Sequence, residues 1–445
     1  MLSAMPRSTG WCALPYHLIL HVFSLLVMVF NPAVAYSGEQ PLTLSEALSR
    51  AMAQNPSLQV FDLRLEALAG GRFTADQSPA LETGLEVENF LGSDNLQGVD
   101  GAEYTVSLSS VLELGDKRRA RVNVVESRYG LMEAERRAET LDVLGRVTQL
   151  FVATLALQEK LQLAAEAVSL AGATHEIIAQ RATRGATPEA EVLRARAALI
   201  QSQIEQSRLQ AEFVNRKMAL ASLWGDTNPD FKLLEGDLFQ FGSSDGFEAL
   251  YQRVNDSPAI QVYASEQRIR EAEIQLARSQ SESDIRWEVG IRRFEEQDDT
   301  AFIAGFSVPL FAGRRNSGEV RAAQAARNEV GYRRQDTLLR LHSRLFEAYH
   351  LRQQSIEAVE RIRSQMLPDL SEALTQTRDA YESGRYSYVE WTAAQRELLA
   401  AQMALVDAAT TALLNQALIE QLTAQPLASI PSANPQIQDS SHATN

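Results

Sequence analysis

The sequence predicts a mainly α-helical chain with a small β part, built as a duplicated unit of short helices, strand hairpin and long helical hairpin. Three observations predict it. Proline-free stretches with apolar residues at helical spacing outrun any globular core, two regions switch to strict alternation, and the same landmarks recur in order about 200 residues apart.

Leu18–Phe30 is an apolar run of 13 residues, short of the roughly 20 that a spanning helix needs. Ala33-Val34-Ala35 follows it in the small-residue pattern of a cleavage site. Residues 1–35 therefore read as a secretory signal, with an uncleaved anchor as the alternative. Cys12, the only cysteine, falls in that leader, so no disulfide or thiolate metal site is expected in the mature chain. The formal charge of −15 argues against a nucleic-acid partner.

The first repeat is expected over 36–224. Thr43 to Glu46 forms a capping-box pattern ahead of the apolar face Leu44, Ala47, Leu48 and Ala51, and Asn55-Pro56 restarts a helix. Leu85 and Val87 alternate with Glu86 and Glu88, and Tyr104, Val106 and Leu108 with Thr105, Ser107 and Ser109. That is the pattern of strands with one apolar and one wet face, expected near 83–90 and 102–112 as a hairpin. From 116 to 184 there is no proline, and a helix of that length would run about 100 Å. Gly185 then suits a left-handed helix end, Thr187 a cap, Pro188 a first helical position, and Glu189 and Glu191 the positive end of the next helix.

Residues 225–246 read as a connector whose Leu233, Leu234, Leu238, Phe239 and Phe241 must pack on something. The second repeat, 247–424, supplies counterparts: Pro258 for Pro56, Gly313 for Gly115, Leu345-Phe346 for Leu150-Phe151, and Gly384 for Gly185. Its strands are expected near 285–294 (Trp287, Val289 and Ile291 on one face) and 301–311 (Phe302, Ala304, Phe306 and Val308 on one face). Residues 425–445, rich in Ser, Pro and Asn, read as a disordered tail.

Four amphipathic strands in two hairpins cannot close a membrane barrel, since the smallest have eight, and open edges are not tolerated in lipid. Two copies would give eight strands and three would give twelve. A soluble coiled-coil protein carrying four edge strands is the alternative on pattern alone.

The segments LTLSEALSRAMAQNPSL, LSSVLELGDKRRARV, FSVPLFAGRRNSGEVRAA and AYESGRYSYVEWTAAQRELLAAQ resemble the TolC-type outer membrane factors, and the similarity runs from Pro41 to about Leu422. Within that family VLELGDKRRARV is similar to the CzcC-like branch, which serves heavy-metal cation efflux. The resemblance implies a homotrimer with a 12-stranded outer-membrane barrel continued by a periplasmic α-helical barrel, with the connector in an equatorial domain. It implies a periplasmic adaptor, an inner-membrane pump of the RND type reached through it, and outer-membrane lipid as partners. The function implied is an exit duct for heavy-metal cations, with a duct for drugs or type I secreted proteins as a rival and a periplasmic scaffold without a barrel as another.

Carried over position by position, Arg184, Gly185 and Ala186 and Ser383, Gly384 and Arg385 match the tips where the adaptor docks, and Glu390 matches an acidic pore-narrowing position. Ala393 and Tyr386 stand where the family carries a further acid and an arginine, so the usual closing ion pairs are not expected. Glu191 stands as far past Gly185 as Glu390 past Gly384, and rings of such carboxylates in an oligomer would attract cations; complementing a helix dipole is the plainer role for both. Lys117, Arg118, Arg119, Arg314 and Arg315 begin long helices, where positive charge opposes the dipole, so anionic head groups or plain solvation must favour them. Trp287, Phe302 and Phe306 fit an aromatic girdle or a packed face. His175, His342, His350 and His442 lack ligand spacing, no catalytic constellation is present, and no enzyme activity, cofactor or bound metal is expected.

Overall fold

A computed structural model describes residues 41–426 apart from Ser244. The signal expected over 1–35 and the tail beyond 426 lie outside the described residues.

Strand β1 (Leu42–Thr43) leads into α1 (Leu44–Gln54), capped by Thr43, whose Oγ1 accepts from the Glu46 amide at 3.3 Å. Only that half of the expected capping box forms, because the Glu46 carboxylate pairs with Arg50 at 2.7 Å. Asn55 caps α2 (Pro56–Ala75), and its Nδ2 donates to the Leu223 carbonyl at 2.6 Å, tying the start of the repeat to its end.

Strands β2 (Glu82–Glu88) and β3 (Glu103–Leu112) form the first hairpin, and α3 (Lys117–Thr183) runs 67 residues, about 100 Å. Helix α4 (Glu189–Ala221) returns along it. After β4 (Leu234–Glu235), the second half repeats the plan: α5 (Phe247–Asn255), α6 (Pro258–Ser279), β5 (Ile285–Phe294), β6 (Asp299–Ser307), α7 (Ala312–Arg361), α8 (Leu367–Glu382) and α9 (Tyr388–Thr423). A π turn, Ile362–Met366, joins α7 to α8: the Leu367 amide reaches the Ile362 carbonyl, and the widened turn accommodates Pro368, which lacks an amide proton.

Two strand ends differ from expectation. β2 stops at Glu88 because Asn89 takes a positive φ, and β6 stops at Ser307, short of 311, because Pro309 cannot donate to a ladder and Phe311 takes φ +63°. The landmark pair Gly115 and Gly313 also needs correction. Gly313 lies inside α7; the left-handed residue that precedes each long helix is Asp116 in one half and Phe311 in the other, at the same separation as Leu150 and Leu345.

The two hairpins form one antiparallel sheet, ordered β2-β3-β5-β6, because β3 pairs with β5 along its whole length. Its outer strands β2 and β6 have one neighbour each among the described residues, so both edges are open. The main core lies midway along the long helices: Val143, Val147, Phe151 and Leu155 of α3 pack with α1, the end of α4 and Val406, Ala409 and Leu413 of α9. The connector packs there too, through Leu234 and Leu238, whereas Leu233 is exposed. β4 pairs in parallel with β1, and the Gln158 amide grips its other side, donating to the Leu234 carbonyl at 3.1 Å and accepting its amide at 2.9 Å.

Candidate functional site

The sheet register sorts the strand residues onto two faces. Leu85, Val106, Ile291 and Phe302 form one cross-strand row; Thr83, Leu108, Val289 and Ala304 form the next, and Ser110, Trp287 and Phe306 the one after. On the opposite face the rows read Glu86, Thr105, Arg292, Ala301 and Glu82, Ser109, Glu288, Gly305. Phe302 and Phe306 are 89% and 82% exposed, so nothing among the described residues covers them on the apolar face. On the polar face Arg292 pairs with Glu88 at 2.9 Å and Glu103 at 3.0 Å and donates through Nε to Thr105 at 2.9 Å. A sheet wet on one side and greasy on the other, with both edges open, suits a barrel wall made by several copies.

The five basic residues at the helix starts separate into two groups. Lys117 is buried: its ammonium donates to the Glu282 carbonyl at 2.8 Å and meets Asp284 at 2.6 Å, so it is not available to head groups, and its charge is balanced within the chain. Arg118 approaches Asp76 at 3.5 Å and Arg119 approaches Asp116 at 3.6 Å. Arg314 and Arg315 are exposed and meet no carboxylate among the described residues; the Arg314 guanidinium lies 6.0 Å from the Phe311 ring centroid.

At the far end of the long helices both turns are built alike. Gly185 (φ +73°) and Gly384 (φ +74°) take the left-handed conformation, the Ala186 amide returns to the Arg181 carbonyl at 3.0 Å, and the Arg385 amide to that of Ala380 at 2.8 Å. Each is a Schellman end. Their following helices start differently from expectation. Thr187 does not cap α4, whose cap position is Pro188 with no side-chain bond, whereas α9 has a full capping box: Ser387 Oγ accepts the Glu390 amide, and Glu390 Oε2 accepts the Ser387 amide at 2.7 Å. Those bonds hold the Glu390 carboxyl below the usual carboxylate range. The dipole role is therefore better developed at Glu390 than at Glu191, and Glu390 stays exposed and ionised. Tyr386 is exposed, with its amide bonded to the Ala380 carbonyl at 3.2 Å.

Behind the turns lies a cluster that the sequence did not disclose. Tyr381 and Trp391 stack at 5.0 Å and pack with Ile178, Ala195 and Tyr388, joining the two helical hairpins. Arg181 of the first hairpin lies 5.0 Å from the centre of the Tyr381 ring and donates to the Glu382 carbonyl at 3.1 Å; Gln395 donates to Thr174 at 2.9 Å. Burial pushes the Tyr388 phenol up. Tyr381 and Trp391 flank the Gly384 turn, but the contact of Tyr381 with Arg181 is a long-range fact with no local signal.

The model of the family described as outer membrane efflux protein matches residues 47–226 and 249–425, both repeats. The chain belongs to that family. As an outer membrane efflux protein it resides in the outer membrane, with its helical portion in the periplasm, and members of the family work with adaptor and pump partners in tripartite systems. Among curated proteins it is 26% identical over 376 residues to the cobalt-zinc-cadmium resistance protein CzcC of Cupriavidus metallidurans, covering 84% of this chain and 87% of that protein. It is 22% identical over 312 residues to the nickel-cobalt-cadmium resistance protein NccC of Alcaligenes xylosoxydans xylosoxydans, covering 68% and 70%. Its fold is that of solved channels: CusC superposes with a TM-score of 0.71 at 18% identity, covering 86% of this chain and 92% of CusC. A membrane protein from Pseudomonas aeruginosa superposes with 0.70 at 20%, covering 86% and 93%.

Proposed function

We propose that this outer membrane efflux protein is a homotrimeric exit duct for heavy-metal cations, fed by an RND-type pump through a periplasmic adaptor. The observation that carries the reading is the sheet: four strands with one apolar face, one polar face and two open edges, which three copies would close into twelve strands. The helices supply matching surfaces. Leu193, Ile200, Ile204, Val214 and Met218 form an exposed stripe on α4 at coiled-coil spacing, and Tyr332, Leu339 and Phe346 form another on α7 at steps of seven. Each is a seam that a second copy would cover.

The cation assignment rests on the resistance proteins it resembles and on charge. The polar sheet face carries Glu82, Glu86, Glu88, Glu103 and Glu288 against Arg286 and Arg292, so a closed barrel would have an acidic lumen. Glu191 and Glu390 would add carboxylates near the tip, with Tyr386 beside them. Residues 184–186 and 383–385 would present the two Schellman turns to the adaptor. A deletion strain challenged with Co, Zn, Cd and Ni salts beside drugs and detergents tests the substrate. Metal sensitivity of the deletion strain, reversed by the wild-type gene, is expected; unchanged metal tolerance with drug sensitivity would give the substrate to the rival reading.

A further inference from the structure

The two strand-to-helix turns occupy equivalent places in the duplication, yet among the described residues only the first has a carboxylate for each of its cations. In the first, every cation near the helix start has an acidic partner: Lys117 with Asp284, Arg118 with Asp76, Arg119 with Asp116, and Arg121 with Glu113. Asp116, short and polar, sits at the left-handed position that such residues tolerate. In the second turn the left-handed position holds Phe311, and Arg314 faces its ring where Arg119 faces Asp116. Arg121 and Asn316 keep a common role, donating to the carbonyls of Ala75 and Ala277 at the ends of α2 and α6, so the frame of the two turns is the same. What changed is the outside. Leu310 and Phe311 are 70% and 73% exposed, and Val308, Leu310 and Phe311 continue the chain from the apolar face of β6 that ends with Phe306.

We propose that this turn is a lipid anchor: Leu310 and Phe311 enter the acyl chains of the periplasmic leaflet, and Arg314 and Arg315 hold the phosphate of an anionic phospholipid beside them. The proposal rests on the reading that the apolar sheet face meets lipid. Given that, the turn lies where the strands leave the membrane and the long helix begins, which is the depth of the headgroups. Exposed apolar side chains followed within one helical turn by guanidiniums that meet no carboxylate among the described residues match the order of chemistry across that boundary, acyl chain then phosphate. A bidentate guanidinium contact to phosphate also removes the conflict between two positive charges and the helix dipole. The first turn, with its carboxylates, offers no such site.

Two measurements on the reconstituted full-length oligomer test it, both in the Cys12→Ser background. Phe311→Cys carrying an environment-sensitive dye is expected to be quenched by spin-labelled acyl chains and shielded from aqueous iodide, with Phe302→Cys as the reference on the barrel face. Quenching at 302 without quenching at 311 would overturn the anchor alone; no quenching at 302 would overturn the lipid-facing sheet on which it rests. Protection at 311 from both quenchers would mean that a neighbouring copy covers the turn, and would also overturn the anchor. For the headgroup, native mass spectrometry of the delipidated oligomer titrated with phosphatidylglycerol should show weaker binding in Arg314→Gln/Arg315→Gln, by roughly fivefold per arginine. Arg118→Gln/Arg119→Gln should bind as wild type, and phosphatidylcholine should not distinguish the variants. Equal phosphatidylglycerol binding by wild type and the 314/315 variant would refute the headgroup site.

Discussion

Removing Trp391 should open the tip locally while leaving the middle of the protein intact. The indole is 2% exposed and stacks on Tyr381, which also meets the Arg181 guanidinium of the opposite hairpin. Trp→Ala in a packed site costs about 3–5 kcal/mol, and the aromatic pair adds about 0.5–1.5 kcal/mol beyond buried area. The loss falls on one small cluster, because Val143–Leu157 in the main core lies about 40–60 Å along α3 from the turn at 1.5 Å per residue. Hydrogen exchange read by mass spectrometry checks this. Peptides covering 174–195 and 381–395 of Trp391→Ala should lose protection by about 100-fold or more, at about 1.4 kcal/mol per factor of ten, while those covering 143–157 keep theirs. Unchanged exchange at the tip would refute the staple, and equal loss in both regions would show that the tip is not an independent unit.

Three further outcomes follow from the same geometry. Gln158→Ala removes two hydrogen bonds and leaves the buried Leu234 amide unpaired, so it should cost about 2–3 kcal/mol and speed proteolytic cleavage within 225–246; an unchanged melt and cleavage rate would contradict the clamp. Glu390→Gln keeps a capping acceptor but removes charge, so the melt should hardly move while the reversal potential in planar bilayers shifts toward weaker cation preference; an unshifted potential would remove Glu390 from the conduction path. The Glu159 carboxyl is pushed up by partial burial and by Asp237, so its protonated form is the better fit to the folded chain. That contribution is present below the unfolded pKa of about 4.3 and is lost as pH rises through the folded value. Glu159→Gln should therefore match wild type near pH 4 and melt slightly higher at neutral pH, by well under 1 kcal/mol because the side chain is half-exposed; a variant less stable at neutral pH would reverse the sign.

The duplication, the alternating strands and the two glycine turns were legible because each is a local pattern: period two, period 3.6, and a residue without a Cβ where the chain reverses. What the sequence hid was pairing across distance. Nothing local said that β3 would pair with β5 and turn two hairpins into one sheet, or that Arg181 would pack on Tyr381 some two hundred positions away. The partners of charges were hidden for the same reason. Lys117 and Arg314 look equivalent as cations at helix starts, and only the positions of Asp284 and Glu282 show that the first is neutralised inside the chain. The caps were also reversed: Thr187-Pro188 carries the stronger start signal, yet the reciprocal bonds form at Ser387 and Glu390, where the serine stands three residues before the acid.

In the proposed duct the open sheet edges are closed by copies of the same chain. The mass of the unheated assembly extracted in detergent from the outer-membrane fraction decides this: three chains are expected, and a single chain that stays soluble without detergent would overturn the oligomeric duct.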